Sequence, residues 1–422
     1  MFISGMSGNE IYCLALKGLA PGEITVGNSV QSLGVGGALS AFGRSITGGE
    51  IRQITTLISE GRHAAIARME EEGRSHGAHG ISGVTSGLST LAGFTEFLAQ
   101  GTAVHEVEGQ DKHAHAPDFF STAASGIELY CHLDTGYRPH KFVMGNVVYA
   151  LGVGRGLTGS LRTLGRGEVR EFSSMYNELR HTALRRLRAE ASTARANSVV
   201  DVRIDMLPHA TGTMELLLTG TASFHPAISS GPLPQQHVIT SELAGEELWN
   251  LAKLGYAPLQ LMLTTSVYSL GVAASIGSLF QAVQRGELPE VTKLIYEARE
   301  NCLDLIRREA EAIGAAQVIG NKLRIREIAP GLVELVAMGT AVQKAPPGTA
   351  PETERLPPQA VITDASARKK DNVQGLMSAV SPMARAQATT RFGGKTLVGA
   401  LLAGIIALSC FLFELFLAIQ RR

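Results

Sequence analysis

Aromatic side chains are scarce: Phe, Trp and Tyr make up 5% of 422 residues, with a single Trp. So few rings exclude a ligand surface built on aromatic stacking. Net charge is absent as well, since Lys+Arg and Asp+Glu both number 38. A nucleic-acid surface or a polyanionic partner needs a large field of one sign, so no nucleic-acid partner is expected. Four cysteines cannot staple a chain of this size, and no signal peptide precedes the first, so reduced thiols are expected. Catalytic signatures are missing too. There is no G-x-S-x-G elbow, Walker A loop, H-E-x-x-H or C-x-x-C, and the chain reads as non-enzymatic. What is abundant is glycine, at 47 residues, which points to tight turns and close backbone packing.

One segment departs from globular composition. Residues 396–419 (TLVGALLAGIIALSCFLFELFLAI) carry one charge, Glu414, and as a helix would span about 36 Å, enough to cross a hydrocarbon core. Three residues follow, so it reads as a C-terminal single-pass anchor. Arg385, Arg391 and Lys395 precede it against Arg421 and Arg422 beyond, which places the N-terminal bulk on the cytoplasmic side. Two placements of Glu414 are open, snorkelling to the interface or a helix–helix contact, and Ala400-x-x-x-Gly404 offers a small-residue face for the latter.

The rest is an internal repeat. GTAV at Gly101 recurs as GTAS at Gly220 and GTAV at Gly339, offsets of 119 and 119. SLGV at Ser32, ALGV at Ala150 and SLGV at Ser269 keep the register, as do GNEIY at Gly8, GIELY at Gly126 and GEELW at Gly245. Three units follow: 1–107, 119–226 and 238–344, then a Pro/Ala/basic linker over 345–395 expected to be flexible. Each unit has one 3.6-period run, through Ile51, Ile54, Ile58, Ala65 and Met69 in the first. The second runs through Val169, Phe172, Tyr176, Leu179, Ala183 and Leu187, and the third through Val291, Leu294, Ala298, Cys302 and Ile306. Two-period stretches flank it, with Ile11–Leu16 and Thr25–Leu33 before the helix and two strands after. The expected fold is α+β: three tandem β-β-α-β-β repeats, each a long helix on a small antiparallel sheet.

These residues resemble the YbjQ family, often labelled a heavy-metal-binding domain. LKGLAPGEITVGNSV, Gly43-Arg44-Ser45, the turn GAHGISGV at Gly77 and the closing QGTAV carry the resemblance, which is best in unit 1. It implies a dodecin-like β/α subunit assembling into pentameric rings, hence a homo-oligomer whose chain count is a multiple of five. If each unit formed its own ring, five chains would give three stacked rings. The reading that follows is a membrane-anchored scaffold or compartment-like assembly. The competing one is a metal- or small-ligand-binding protein with sites at repeat or subunit interfaces.

Candidate metal ligands are Cys13, His76, His79, His113 and His115. Cys13 and Cys131 are equivalent, but unit 3 has Asn250, and His76-x-x-His79 becomes Ala194 and Asn197 in unit 2. A structural zinc site wants four ligands, so solvated and helix-end histidines are the competing account, and no other cofactor is expected. Gly154-x-Gly156-x-x-Gly159 matches a dinucleotide fingerprint, yet its equivalents read Gly, Ala, Ala and Ala, Ser, Ser, so the repeat asks for small residues there. Arg62, Arg180 and Arg299 occupy one helix position in the three units, with two roles open: anion ligand, or salt bridge within or between subunits.

Overall fold

The computed structural model describes residues 3–31, 49–91, 94–107, 119–150, 167–209, 213–270, 289–329 and 331–357. They belong to one compact unit. Unit 1 contributes α1 (Gly8–Ala15), β1 (Leu19–Gln31), β2 (Gly49–Glu50), α2 (Arg52–Ser75), β3 (Gly80–Leu91) and β4 (Phe94–Glu106). Unit 2 contributes β5 (Phe120–Ser121), α3 (Gly126–Asp134), β6 (Arg138–Ala150), β7 (Gly167–Glu168), α4 (Arg170–Thr193), β8 (Ser198–Pro208) and β9 (Thr213–Phe224). Unit 3 contributes β10 (Ile239–Thr240), α5 (Gly245–Lys253), β11 (Tyr256–Ser269), α6 (Pro289–Ala312), β12 (Gln317–Ala329) and β13 (Leu332–Lys344).

The repeat therefore opens with a helix, not with the extended stretch expected over Ile11–Leu16. The reason is local. Ser7 Oγ accepts from the Glu10 N–H at 3.4 Å while the Glu10 carboxylate accepts from the Ser7 N–H at 2.7 Å, a capping box that Ser125 and Glu128 repeat before α3. The Pro21-Gly22 pair lies inside β1, where the register with β4 shifts between Pro21 and Ile24.

The long helices lie where the 3.6-period runs put them, and their apolar residues are buried, Val291 only partly. Gly27 and Gly145 sit where helix crosses strand. A Cβ at either would stand 2.1 Å from a backbone oxygen, of Ala65 and Ala183 respectively, so only glycine permits this approach.

Three sheets share one antiparallel core order, β1-β4-β3, β6-β9-β8 and β11-β13-β12. Each is extended by its neighbour. β2 of unit 1 pairs with β6, and β7 of unit 2 pairs with β11; β5 runs parallel to β3, and β10 parallel to β8. The units are thus interleaved side by side within one chain. Two of the long helices, α2 and α4, each lie between two sheets. Ile54 and Ile58 of α2 and Ile51 just before it share a core with Phe142, Met144 and Val148 of β6, while Phe172 and Tyr176 of α4 and Val169 just before it share one with Leu261, Leu263 and Val267 of β11.

Among the described residues no helix is long and apolar enough to cross a membrane. Residues 396–419 lie outside the described residues, as do His113, His115, the glycines of the 154–159 motif and the linker beyond 357. The linker's first stretch is docked: the Glu352 N–H donates to the Asp134 carbonyl at 2.8 Å, and Leu356 packs on Cys13, Tyr130, Cys131 and Trp249.

Candidate functional site

The interleaving brings the repeat-equivalent arginines to the junctions between units. Arg62, on the buried face of α2, meets Glu215 on β9 of the next unit. Its Nε and Nη2 donate to the two carboxylate oxygens at 3.3 and 2.9 Å, and Nη1 donates to the Ser86 carbonyl at 3.1 Å. Both side chains are fully buried. The carboxylate also accepts from Asn146 Nδ2 at 3.2 Å and contacts His209 Nε2 at 3.1 Å. Burial alone would raise the Glu215 carboxyl, but the Arg62 charge and the His209 and Arg62 hydrogen bonds outweigh it, holding it down at about 2. The salt-bridge role is the one the structure shows for Arg62 and Arg180.

At the second junction, Arg180 of α4 meets Glu334 of β13 at 2.5 Å, again buried on both sides. A second cation, Arg326, donates from Nε to the same carboxylate and from Nη2 to Tyr149 Oη at 2.9 Å. Thr265 Oγ1 donates at 3.1 Å. The Glu334 carboxyl is likewise held below the usual carboxylate range, its two arginines overcoming the cost of burial. Beside each pair sits a histidine–glutamate contact, His63 with Glu190 at 2.7 Å and His181 with Glu309 at 3.6 Å.

A third polar hub ties all three units together. Asp134, buried at the end of α3, accepts from Lys17 Nζ of unit 1, Trp249 Nε1 of unit 3 and Thr353 Oγ1 of the following strap, each at 2.7 Å. Burial pushes this carboxyl up, and the three donors more than reverse that.

Of the sequence-derived metal ligands, the three among the described residues, Cys13, His76 and His79, are not brought together. Cys13 is buried among Tyr130, Cys131 and Trp249, and burial, then Glu10 and Glu246, pushes its thiol up to about 11, so it is neutral at physiological pH. His76 closes α2 and stands 3.9 Å from Glu23; His79 stands 3.9 Å from Glu106, whose N–H donates to its Nδ1. Among the described residues no group of three His, Cys, Asp or Glu side chains could hold a metal. The donors present there do not fit one. Sequence reasoning singled out the arginines and missed their acids. Glu96, Glu215 and Glu334 lie 119 residues apart, each five residues before the GTA signature.

Repeats locked helix to sheet by buried ion pairs define a tandem-repeat α+β protein whose distinctive chemistry lies in its junctions. The YbjQ family model, described as "putative heavy-metal-binding", matches residues 20–107, 136–225 and 256–345, over half of the chain, and the protein belongs to that family. It is similar to the encapsulin nanocompartment protein Rv1762c of Mycobacterium tuberculosis, 28% identical over 239 residues, or 56% of this chain and 89% of that protein. Single-unit relatives are a UPF0145 protein of Vibrio parahaemolyticus, 44% identical over 86 residues (20% of this chain, 82% of it), and one of Methanoregula boonei, 38% over 97 (21% and 81%). No solved structure matches.

Proposed function

We propose that this protein is a non-enzymatic, membrane-tethered subunit of a homo-oligomeric scaffold or compartment-like assembly. The observation that carries the reading is the repeated buried clasp, Arg62–Glu215 and Arg180–Glu334, which joins neighbouring YbjQ units helix to sheet. The similarity to a protein named as an encapsulin nanocompartment protein supports it, and so does the absence of enzyme names among the relatives described above. The chain count, a multiple of five, follows from the family resemblance. The tether follows from the apolar run 396–419, and the cytoplasmic placement of the repeats from its flanking charges.

The test is native mass spectrometry of the full chain released from detergent micelles, with metals present and after chelation. A chelator-insensitive mass at a multiple of five chains is expected; a monomer overturns the reading, and an assembly that falls apart on chelation puts metal binding first. Deleting residues 396–422 is expected to release the protein from carbonate-washed membranes. Retention of that deletion on the membrane overturns the tether.

A further inference from the structure

Each interior sheet is covered on both faces by long helices: that of β6 by α2 and α4, that of β11 by α4 and α6. Among the described residues the β1 sheet carries one long helix, α2, over Thr25, Gly27 and Ser29. Its other face, Ile24, Val26 and Val30, is 41%, 45% and 58% exposed. The repeat-equivalent residues, Phe142, Met144 and Val148 or Leu261, Leu263 and Val267, are all 3% exposed or less. Glu96, the unit 1 counterpart of the two buried acids, lies half-buried on this sheet.

The opposite end of the chain shows the complementary half. Arg299, counterpart of Arg62 and Arg180, is exposed on α6, next to Tyr296, which is 60% exposed. Leu323 of β12 is 40% exposed, where its equivalent Ile204 is 9%, and Ile325, two residues on, is 42% exposed, where its equivalent Met206 is partly buried. Two further contacts are open in the same sense. Gly126 is packed against Glu10, and Gly245 against Glu128, with a hypothetical Cβ meeting them at 2.7 and 2.8 Å, whereas Gly8 has nothing within 4 Å. β3 and β8 each carry a two-residue parallel strand from the following unit; among the described residues β12 has none.

We propose that copies of this chain join head to tail, the α6 face of one copy seated on the Ile24–Val26–Val30 face of the next, with Arg299 paired to Glu96 across the contact. The partner is a second copy because the surface each end lacks is the one the other end presents, in a contact the chain already builds twice. This rests on the homo-oligomer reading and specifies its interface. A heterologous contact repeated in this way closes into a ring or runs on as a filament. One position is mismatched: Glu300 stands where His63 and His181 stand, opposite Glu72, the counterpart of their partners Glu190 and Glu309. The contact between copies is therefore weaker than those within the chain.

The test compares the full chain with R299E, E96R, the double swap R299E/E96R and E300H, by sedimentation velocity in detergent micelles. Each single reversal is expected to weaken association by about tenfold or more, the double swap to restore it, and E300H to tighten it beyond the unmodified chain. Melting curves of the disassembled variants are expected to match the unmodified chain, because Arg299 and Glu96 are not buried in one copy. An unmodified chain that assembles while R299E and E96R leave its mass unchanged overturns the head-to-tail contact and spares the oligomer reading. A double swap that fails to restore association also overturns the contact. A monomeric unmodified chain overturns both.

Discussion

The two internal junctions place an arginine and a glutamate at the same repeat positions but surround the carboxylate differently. Glu215 has one arginine, engaged through two nitrogens, with Asn146 and His209 on its remaining lone pairs. Glu334 has two arginines, and Arg180 spends Nη1 on the Tyr176 carbonyl of its own helix while its buried Nε has no partner among the described residues. The ion pair across the junction is the constant; the other donors are whatever the neighbouring strand supplies. A buried ion pair is costly to break because the surviving charge stays in the low-dielectric interior. R62A is therefore expected to lower stability by about 3–5 kcal/mol, since nothing permanently cationic remains on Glu215. R180A is expected to cost less, about 2–3 kcal/mol, because Arg326 still neutralises Glu334. Urea unfolding of both variants checks the order, and equal losses would break the comparison.

Acid sharpens the contrast between paired and unpaired buried groups. His132 of α3 is fully buried with neither ring nitrogen hydrogen-bonded among the described residues, and burial lowers its pKa from 6.5 to about 4. A group whose folded pKa is depressed stabilises the fold above its unfolded pKa, and that contribution is lost as pH falls toward the folded value. His132 thus loses its contribution between about pH 6.5 and 4, whereas Glu215 keeps its own until pH falls from about 4.5 toward 2. Between pH 7 and pH 5 the protein is expected to lose about 2 kcal/mol that H132L does not lose. An identical pH slope in H132L would place the titration elsewhere.

Much of this architecture is legible in the sequence. The 118- and 119-residue offsets, the helical faces and the strand carrying the GTA signature all stand where the periodicities put them, because burying a fixed face of each helix leaves a regular pattern. The short opening helices were masked by a local ambiguity: six apolar-rich residues fit a strand or a helix equally, and Ser7-x-x-Glu10 and Ser125-x-x-Glu128 were the deciding signal. The side-by-side interleaving was hidden for another reason. It depends on which unit supplies β2 and β7, and a repeat offset says nothing of that. A trace of it is present in β6, where FVMGNVVYA is apolar at consecutive positions, as a strand covered on both faces should be. The acids of the clasps were legible as repeat-equivalent charges, but their burial was not.

The smallest effect concerns one turn compared across units. Gly77 closes the segment after α2 at φ +69° and Gly314 does so after α6 at φ +72°, while unit 2 has Arg195 there at φ +59°. A left-handed backbone costs an L-residue with a Cβ about 1–2 kcal/mol that glycine avoids, offset in part by glycine's greater freedom when unfolded. The Arg195 side chain is exposed and contributes no cation–π contact, ion pair or side-chain hydrogen bond among those described, so little opposes the gain. R195G is expected to raise stability by up to about 1 kcal/mol, read as a small upward shift of the urea midpoint at unchanged slope. The same change at Arg180 or Arg62 would do the reverse. A midpoint that falls for R195G would mean that the unit 2 turn is held by its arginine and not merely tolerated.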